Sequence, residues 1–245
     1  MKKRTVLLSI AGGILAIATL DAAVNLVTTR ASMAGPLDLS HVQTIRVEGA
    51  ASDIQITARA NGPRVAELKG ERRGWGAVWH SGWFSDACPV NGSMRIEGQT
   101  LTVDVGKAAR LFDWSDCTME LTANLAPEAA VIIDQKAART RLDGDFSMID
   151  VRSDAGDVSF KGHARAVSIS GAALRAYLAY EQVTHDETIA LSGKMLDATL
   201  KFITPTPVSY LVEAVASYID SALPNTPGAK PAITIRGEMV HARIE

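Results

Sequence analysis

Between Ala130 and Phe202 short apolar pairs alternate with polar residues and return at a steady pitch. One series reads Val131/Ile133, Ile149/Val151, Val167/Ile169 and Ile189/Leu191. A second falls between them: Leu142, Val158/Phe160, Leu174/Leu178 and Leu200/Phe202. Alternation within a pair is the signature of a strand with one buried face. Recurrence at roughly 18–22 residues is a solenoid period. Gly144, Gly156, Gly162, Gly171 and Gly193 punctuate the runs as turns require. The pattern predicts an all-β chain built as a single-stranded β-helix or β-solenoid, mostly free of antiparallel pairing.

The flanks follow the same grammar less regularly. Ile45/Val47 and Ile54/Ile56 bracket Gly49 and predict a hairpin or a first rung. Val65 to Lys69 predicts a strand after the Asn61-Gly62-Pro63 turn. Met94/Ile96 and Leu101/Val103/Val105 alternate around Gly98-Gln99, a hairpin signal. Thr204 to Pro207 is a break. Val208 to Leu223 fits both templates, and the rung spacing favours strands. Ile233/Ile235, Val240 and Ile244 predict a closing hairpin over Gly237.

Two stretches depart from the pattern. Met1 to Arg4 is basic and Thr5 to Leu20 apolar, with Ser32-Met33-Ala34 as a small-x-small cleavage site before Gly35. Residues 1–34 therefore read as a secretion signal or, uncleaved, as a membrane anchor helix, and both export the rest to the periplasm or cell envelope. Residues 71–88 form a Trp-rich insertion holding Trp75, Trp79 and Trp83 with Phe84. Its glycines oppose a stable helix. Aromatic faces suit sugar rings, headgroup layers and protein partners; the competing role is a plug over the open end of the stack.

Composition narrows the class. Of 245 residues 47% are hydrophobic and only 5% aromatic, which fits a thin core of small and β-branched residues in one domain over 35–245. Without residues 1–34 there remain 21 basic and 26 acidic residues, a net charge of -5, which argues against nucleic acid as a partner. Cys88 and Cys117, the only cysteines, read as a disulfide in an exported chain. That bridge brings Phe112 and Trp114 toward the Trp loop, making Trp75, Trp79, Trp83, Phe84, Phe112 and Trp114 the candidate binding patch.

No constellation for catalysis stands out. Asp143, Asp145, Asp150, Asp154 and Asp157 cluster, but their spacing matches no calcium loop. Two cysteines beside His80 lack the spacing of structural zinc. His163 and His185 lie about one rung apart and read as surface turn residues. Neither a GxSxG elbow nor a phosphate loop occurs. We expect no catalytic residues, no metal and no cofactor.

IRVEGAASDIQI from Ile45, LAPEAAVIID from Leu125 and the Gly156-Asp157-Val158 turn resemble the bacterial putative adhesin domains, related to the head GIN domain. The resemblance covers Ile45 to Glu245 and implies an exported right-handed β-solenoid without established catalytic residues. The Trp-rich insertion departs from that pattern. Residues and resemblance together predict a non-catalytic envelope protein that presents a β-surface for binding or adhesion, with another envelope protein or a glycan as partner. A carbohydrate-active enzyme using Asp150 and Asp157, or a self-assembling structural module, are the alternatives.

Overall fold

The computed structural model describes residues 35–72, 90, 92–106 and 117–245. Among these residues there is no helix. The strands are β1 (Leu37–Asp38), β2 (Thr44–Ala58), β3 (Val65–Arg72), β4 (Gly92–Glu97), β5 (Thr100–Val105), β6 (Cys117–Asn124), β7 (Ala129–Tyr180), β8 (Thr188–Phe202), β9 (Ser209–Ser221) and β10 (Ala232–Ile244). They join one sheet, ordered β1-β3-β6-β2-β7-β8-β10-β9, with β5 also on β2 and β4 on β5.

Strand β7 shows how the sheet is built. Its 52 residues would stretch about 170 Å if straight. Instead β7 winds back over itself. A Cβ on Gly171 would sit 1.7 Å from the Ser153 carbonyl oxygen, 18 residues earlier. The Ser153 hydroxyl, which donates to the Ala155 carbonyl at 2.7 Å, lies 3.4 Å from the Lys136 carbonyl oxygen, and the Glu181 amide donates to the Gly162 carbonyl at 2.8 Å. The next pass, β8, lies parallel on β7 with Gly193 opposite Gly171 and Leu191 opposite Ile169. Along β7 and on to β8 facing positions are therefore 18 to 22 residues apart. Parallel neighbours on both sides hide the ladder edges of β8 and β10, whereas β1, β4 and β9 each pair with one strand among the described residues.

The core is the inner column of these passes. Val131, Ile133, Ile149, Val151, Val167, Ile169, Ile189, Leu191, Ile233 and Ile235 are all buried. Below them runs an aromatic ladder. Phe146 and Phe160 stand edge to face at 6.2 Å, Phe160 and Tyr180 at 5.4 Å, and Tyr180 stacks on Phe202 at 5.4 Å. Burial pushes the Tyr180 hydroxyl well above the ordinary tyrosine range, and the nearby charge of Glu187 adds to the effect.

Sequence order and spatial order part company at both ends. β2 lies between the first turn of β7 and the β5/β6 pair, with Thr44–Gly49 on β5 and Ser52–Thr57 on β6. It is one continuous strand, so the hairpin reading of Ile45 to Ile56 is replaced by a rung. At the other end β10 inserts between β8 and β9 and is parallel to both. The expected closing hairpin over Gly237 is therefore wrong. Gly237 stands in mid-strand because a Cβ there would meet the Gly193 carbonyl oxygen at 2.5 Å, so it permits a close pass rather than a reversal. The segment after Val208 is strand, as the rung spacing favours. Among the described residues antiparallel pairing is confined to β1 with β3, β3 with β6, and β4 with β5, the last turning at Gly98 (φ 61°). β9 ends the path with β10 as its one paired strand among the described residues, the Asn225 side chain bonding both backbone groups of Tyr210 near its start, and Val215 on it is 88% exposed.

Candidate functional site

Three segments repeat one short motif: Gly171-Ala-Ala-Leu-Arg175, Gly193-Lys-Met-Leu-Asp197 and Gly237-Glu-Met-Val-His241. Each bends at a corner of the stack. The glycine lets neighbouring backbones pass closely. The fourth residue enters the core: Leu174, Leu196 and Val240 are 5%, 3% and 4% exposed. The third and fifth residues face outward and align in rows, because register locks Ala173 to Met195, Met195 to Met239 and Met239 to Ala216. The parallel row reads Arg175, Asp197, His241 and Tyr218.

Between these rows and the Ala155-Gly156-Asp157 turn lies an open groove of about 830 Å³ that crosses the strands. Its floor is apolar, with Met195 and Met239 more than half exposed. Exposed methionines are flexible and polarizable, so they fit irregular apolar partners. One wall is polar. The Arg175 guanidinium stands 3.6 Å from the Asp197 carboxylate. The other Asp197 oxygen lies 3.0 Å from His241 Nδ1, which fixes the imidazole. The Tyr218 ring lies 5.5 Å from that imidazole, tilted by 33°, and is 66% exposed. An Asp–His pair is two-thirds of a nucleophilic triad. Among the described residues no hydroxyl is hydrogen-bonded to His241, whose recorded side-chain partner is Asp197.

The sequence-derived candidates fare differently. Trp75, Trp79, Trp83, Phe84, Cys88, Phe112 and Trp114 lie outside the described residues, as does the 1–34 segment. Cys117 opens β6, and its cross-strand partner is Arg72, the second residue of the Trp-rich insertion and the last described one before its tryptophans. The aspartates do not converge. Asp143 is bound by Arg59, Asp150 accepts from Arg152 at 3.2 Å, and Asp157 lines the groove. His185 is exposed, near the Lys230 carbonyl at 3.3 Å, as a turn histidine should be. His163 is not. It is 8% exposed, with Nε2 3.2 Å from the Thr184 hydroxyl, because the 184–187 segment folds over the β7 turn that carries it.

No protein-family model matches the sequence, and no curated protein matches it. Among solved structures the chain is similar to a putative cell adhesion protein from Clostridium sporogenes, at 8% identity and TM-score 0.44, over 85% of this chain and 95% of that one. It is also similar to a putative adhesin from Bacteroides fragilis, at 13% identity and TM-score 0.38, over 85% and 94%. At these levels of likeness the functional reading rests on the groove.

Proposed function

We propose that this is a non-catalytic, exported envelope protein. In this reading the stacked passes form a right-handed β-solenoid that holds an elongated partner in the groove. The observation that carries it is the row structure: an apolar floor and a polar wall continue across four adjacent strands, from Ala173 to Ala216 and from Arg175 to Tyr218. Such a surface matches a ligand lying across the strands, an extended peptide of an envelope protein or a glycan chain. Tyr218 offers a stacking face to a sugar ring or an apolar side chain. Asp197, Arg175 and His241 offer hydrogen bonds along the wall. The basic and apolar start of the chain supports export, and the Cys88–Cys117 pair fits an oxidising compartment.

A co-sedimentation assay tests this. Purified protein is mixed with isolated cell-envelope fragments, and the M195K/M239K double variant is compared with wild type. Both side chains are exposed, so the variant should keep the wild-type melting temperature. Its bound fraction should fall about tenfold or more, since buried apolar anchors carry most binding energy. Equal sedimentation of both proteins would refute the groove.

Beyond the Asn225 contact at Tyr210, the outer edge of β9 has no strand partner among the described residues, which favours a second reading, self-assembly of two copies through that strand. A covalent crosslink between two copies from position Val215 would support it.

A further inference from the structure

The loop between β7 and β8 brings together side chains that the envelope-binding reading does not use. We propose that His163, Asp186 and Glu187 form a binding site for one divalent transition-metal ion of the zinc class. Their ligand atoms all lie within 4.8 Å of one another. His163 Nε2 is 3.3 Å from Glu187 Oε1. Zinc bonds of about 2.0–2.1 Å at a tetrahedral angle place ligand atoms about 3.3–3.4 Å apart, so this pair already has the spacing of two zinc ligands.

The acceptors of the cluster outnumber the hydrogens offered to them, and one carboxylate oxygen, Glu187 Oε2, has no hydrogen-bond partner. The Thr184 hydroxyl carries one hydrogen, yet it faces Asp186 Oδ1 at 2.5 Å, Glu187 Oε1 at 3.0 Å and His163 Nε2 at 3.2 Å. It can donate to only one of them. The Thr184 amide also donates to Glu187 Oε1. Glu187 itself is fully buried, and its second oxygen, Oε2, has no hydrogen-bond partner. The Tyr180 hydroxyl, also fully buried and without a partner, feels the Glu187 charge. A buried carboxylate with an unsatisfied oxygen is costly, and a cation bound at the other oxygen, Oε1, would offset part of that cost by neutralising the charge.

The surroundings suit such a role. Arg165 Nε lies 3.5 Å from Asp186 Oδ2, the oxygen turned away from Thr184, and so steadies Asp186 from outside the cluster. One imidazole with two carboxylates is a mixed nitrogen–oxygen set, which favours zinc over calcium or magnesium. Three protein ligands leave one coordination position for water or for a donor group of a partner. The ion would tie the 184–187 segment to the turn of β7 that carries His163.

The test uses the full chain, stripped with a chelator and titrated with zinc chloride against a chromophoric competitor. Wild type should bind one zinc per chain and melt at a higher temperature with zinc than with EDTA. Asp186 is exposed, so Asp186→Asn leaves the fold intact and should weaken binding by more than about tenfold. His163→Gln should do the same, and His41→Ala, exposed and remote from the cluster in sequence, should bind as wild type. No zinc uptake by wild type would overturn the proposal and leave a purely hydrogen-bonded turn. Equal uptake by wild type and Asp186→Asn would also overturn it, by assigning the metal to other residues.

Discussion

Phe160→Ala should lower the free energy of unfolding by about 3–5 kcal/mol, as Phe→Ala substitutions at fully buried sites do. Phe160 is fully buried and stands midway in the aromatic ladder, edge to face with both Phe146 and Tyr180. Removing its ring opens a cavity between two turns of β7 and deletes both aromatic contacts, each worth about 0.5–1.5 kcal/mol beyond burial. Domains are stable by about 5–15 kcal/mol in total, so the variant should sit near the threshold of folding. The cavity cannot close easily, because the parallel ladders on either side fix the spacing of the passes. Urea denaturation followed by circular dichroism reads the change. A loss below about 1 kcal/mol would mean that the aromatic ladder does not hold the turns together.

The second large effect is steric and depends on which glycine is chosen. Gly171→Ala places a methyl group 1.7 Å from the Ser153 carbonyl oxygen, a backbone atom that cannot swing away. The two passes must separate, which breaks ladder hydrogen bonds, and the cost should reach about 3 kcal/mol. Gly193→Ala, one pass further along the same column, meets its nearest atoms only at 3.4 Å. It should remain within about 1 kcal/mol of wild type, the crowding offset by the lower entropy of the unfolded chain. The same urea experiment on the two variants therefore separates close approach from a general dislike of alanine. Equal losses at both positions would contradict the stacking register.

These glycines also show what the amino-acid order can and cannot reveal. The apolar pairs from Val131 to Leu191 disclose strands, one buried face and the pitch of 18 to 22 residues, because burial imposes a period of two and the coil a longer one. Spatial order is not encoded that way. Any rung with an Ile-x-Ile or Val-x-Ile pair can pair with any other, so periodicity does not say that β10 inserts between β8 and β9, or that β5 and β6 lie outside β2. Gly237 illustrates the ambiguity: glycine serves turns and close passes alike, and only its register with Gly193 decides.

The groove was partly legible. The Gly-x-Met-apolar-polar repeat at Gly193 and Gly237 is visible in the chain, and its third positions face solvent because the fourth must enter the core. What could not be read is that Ala216 and Tyr218 complete the same rows, since β9 lacks the glycine and carries Ala214 there. His163 misleads for a related reason. A histidine after a glycine turn reads as exposed, and the cover that buries it comes from Thr184 to Glu187, about 20 residues later. Local pattern reports the periodicity of a strand; it does not report which distant loop folds over it.

The most direct test of the groove as a partner-binding surface is photo-crosslinking in the cells that make the protein. A photoreactive residue is placed at Met239, on the groove floor, and separately at Val215, on the outer edge of β9. The account predicts a discrete adduct to a different protein or to a glycan from Met239, lost when Tyr218 becomes alanine. Adducts only between two copies from Val215, or none from Met239, would contradict it.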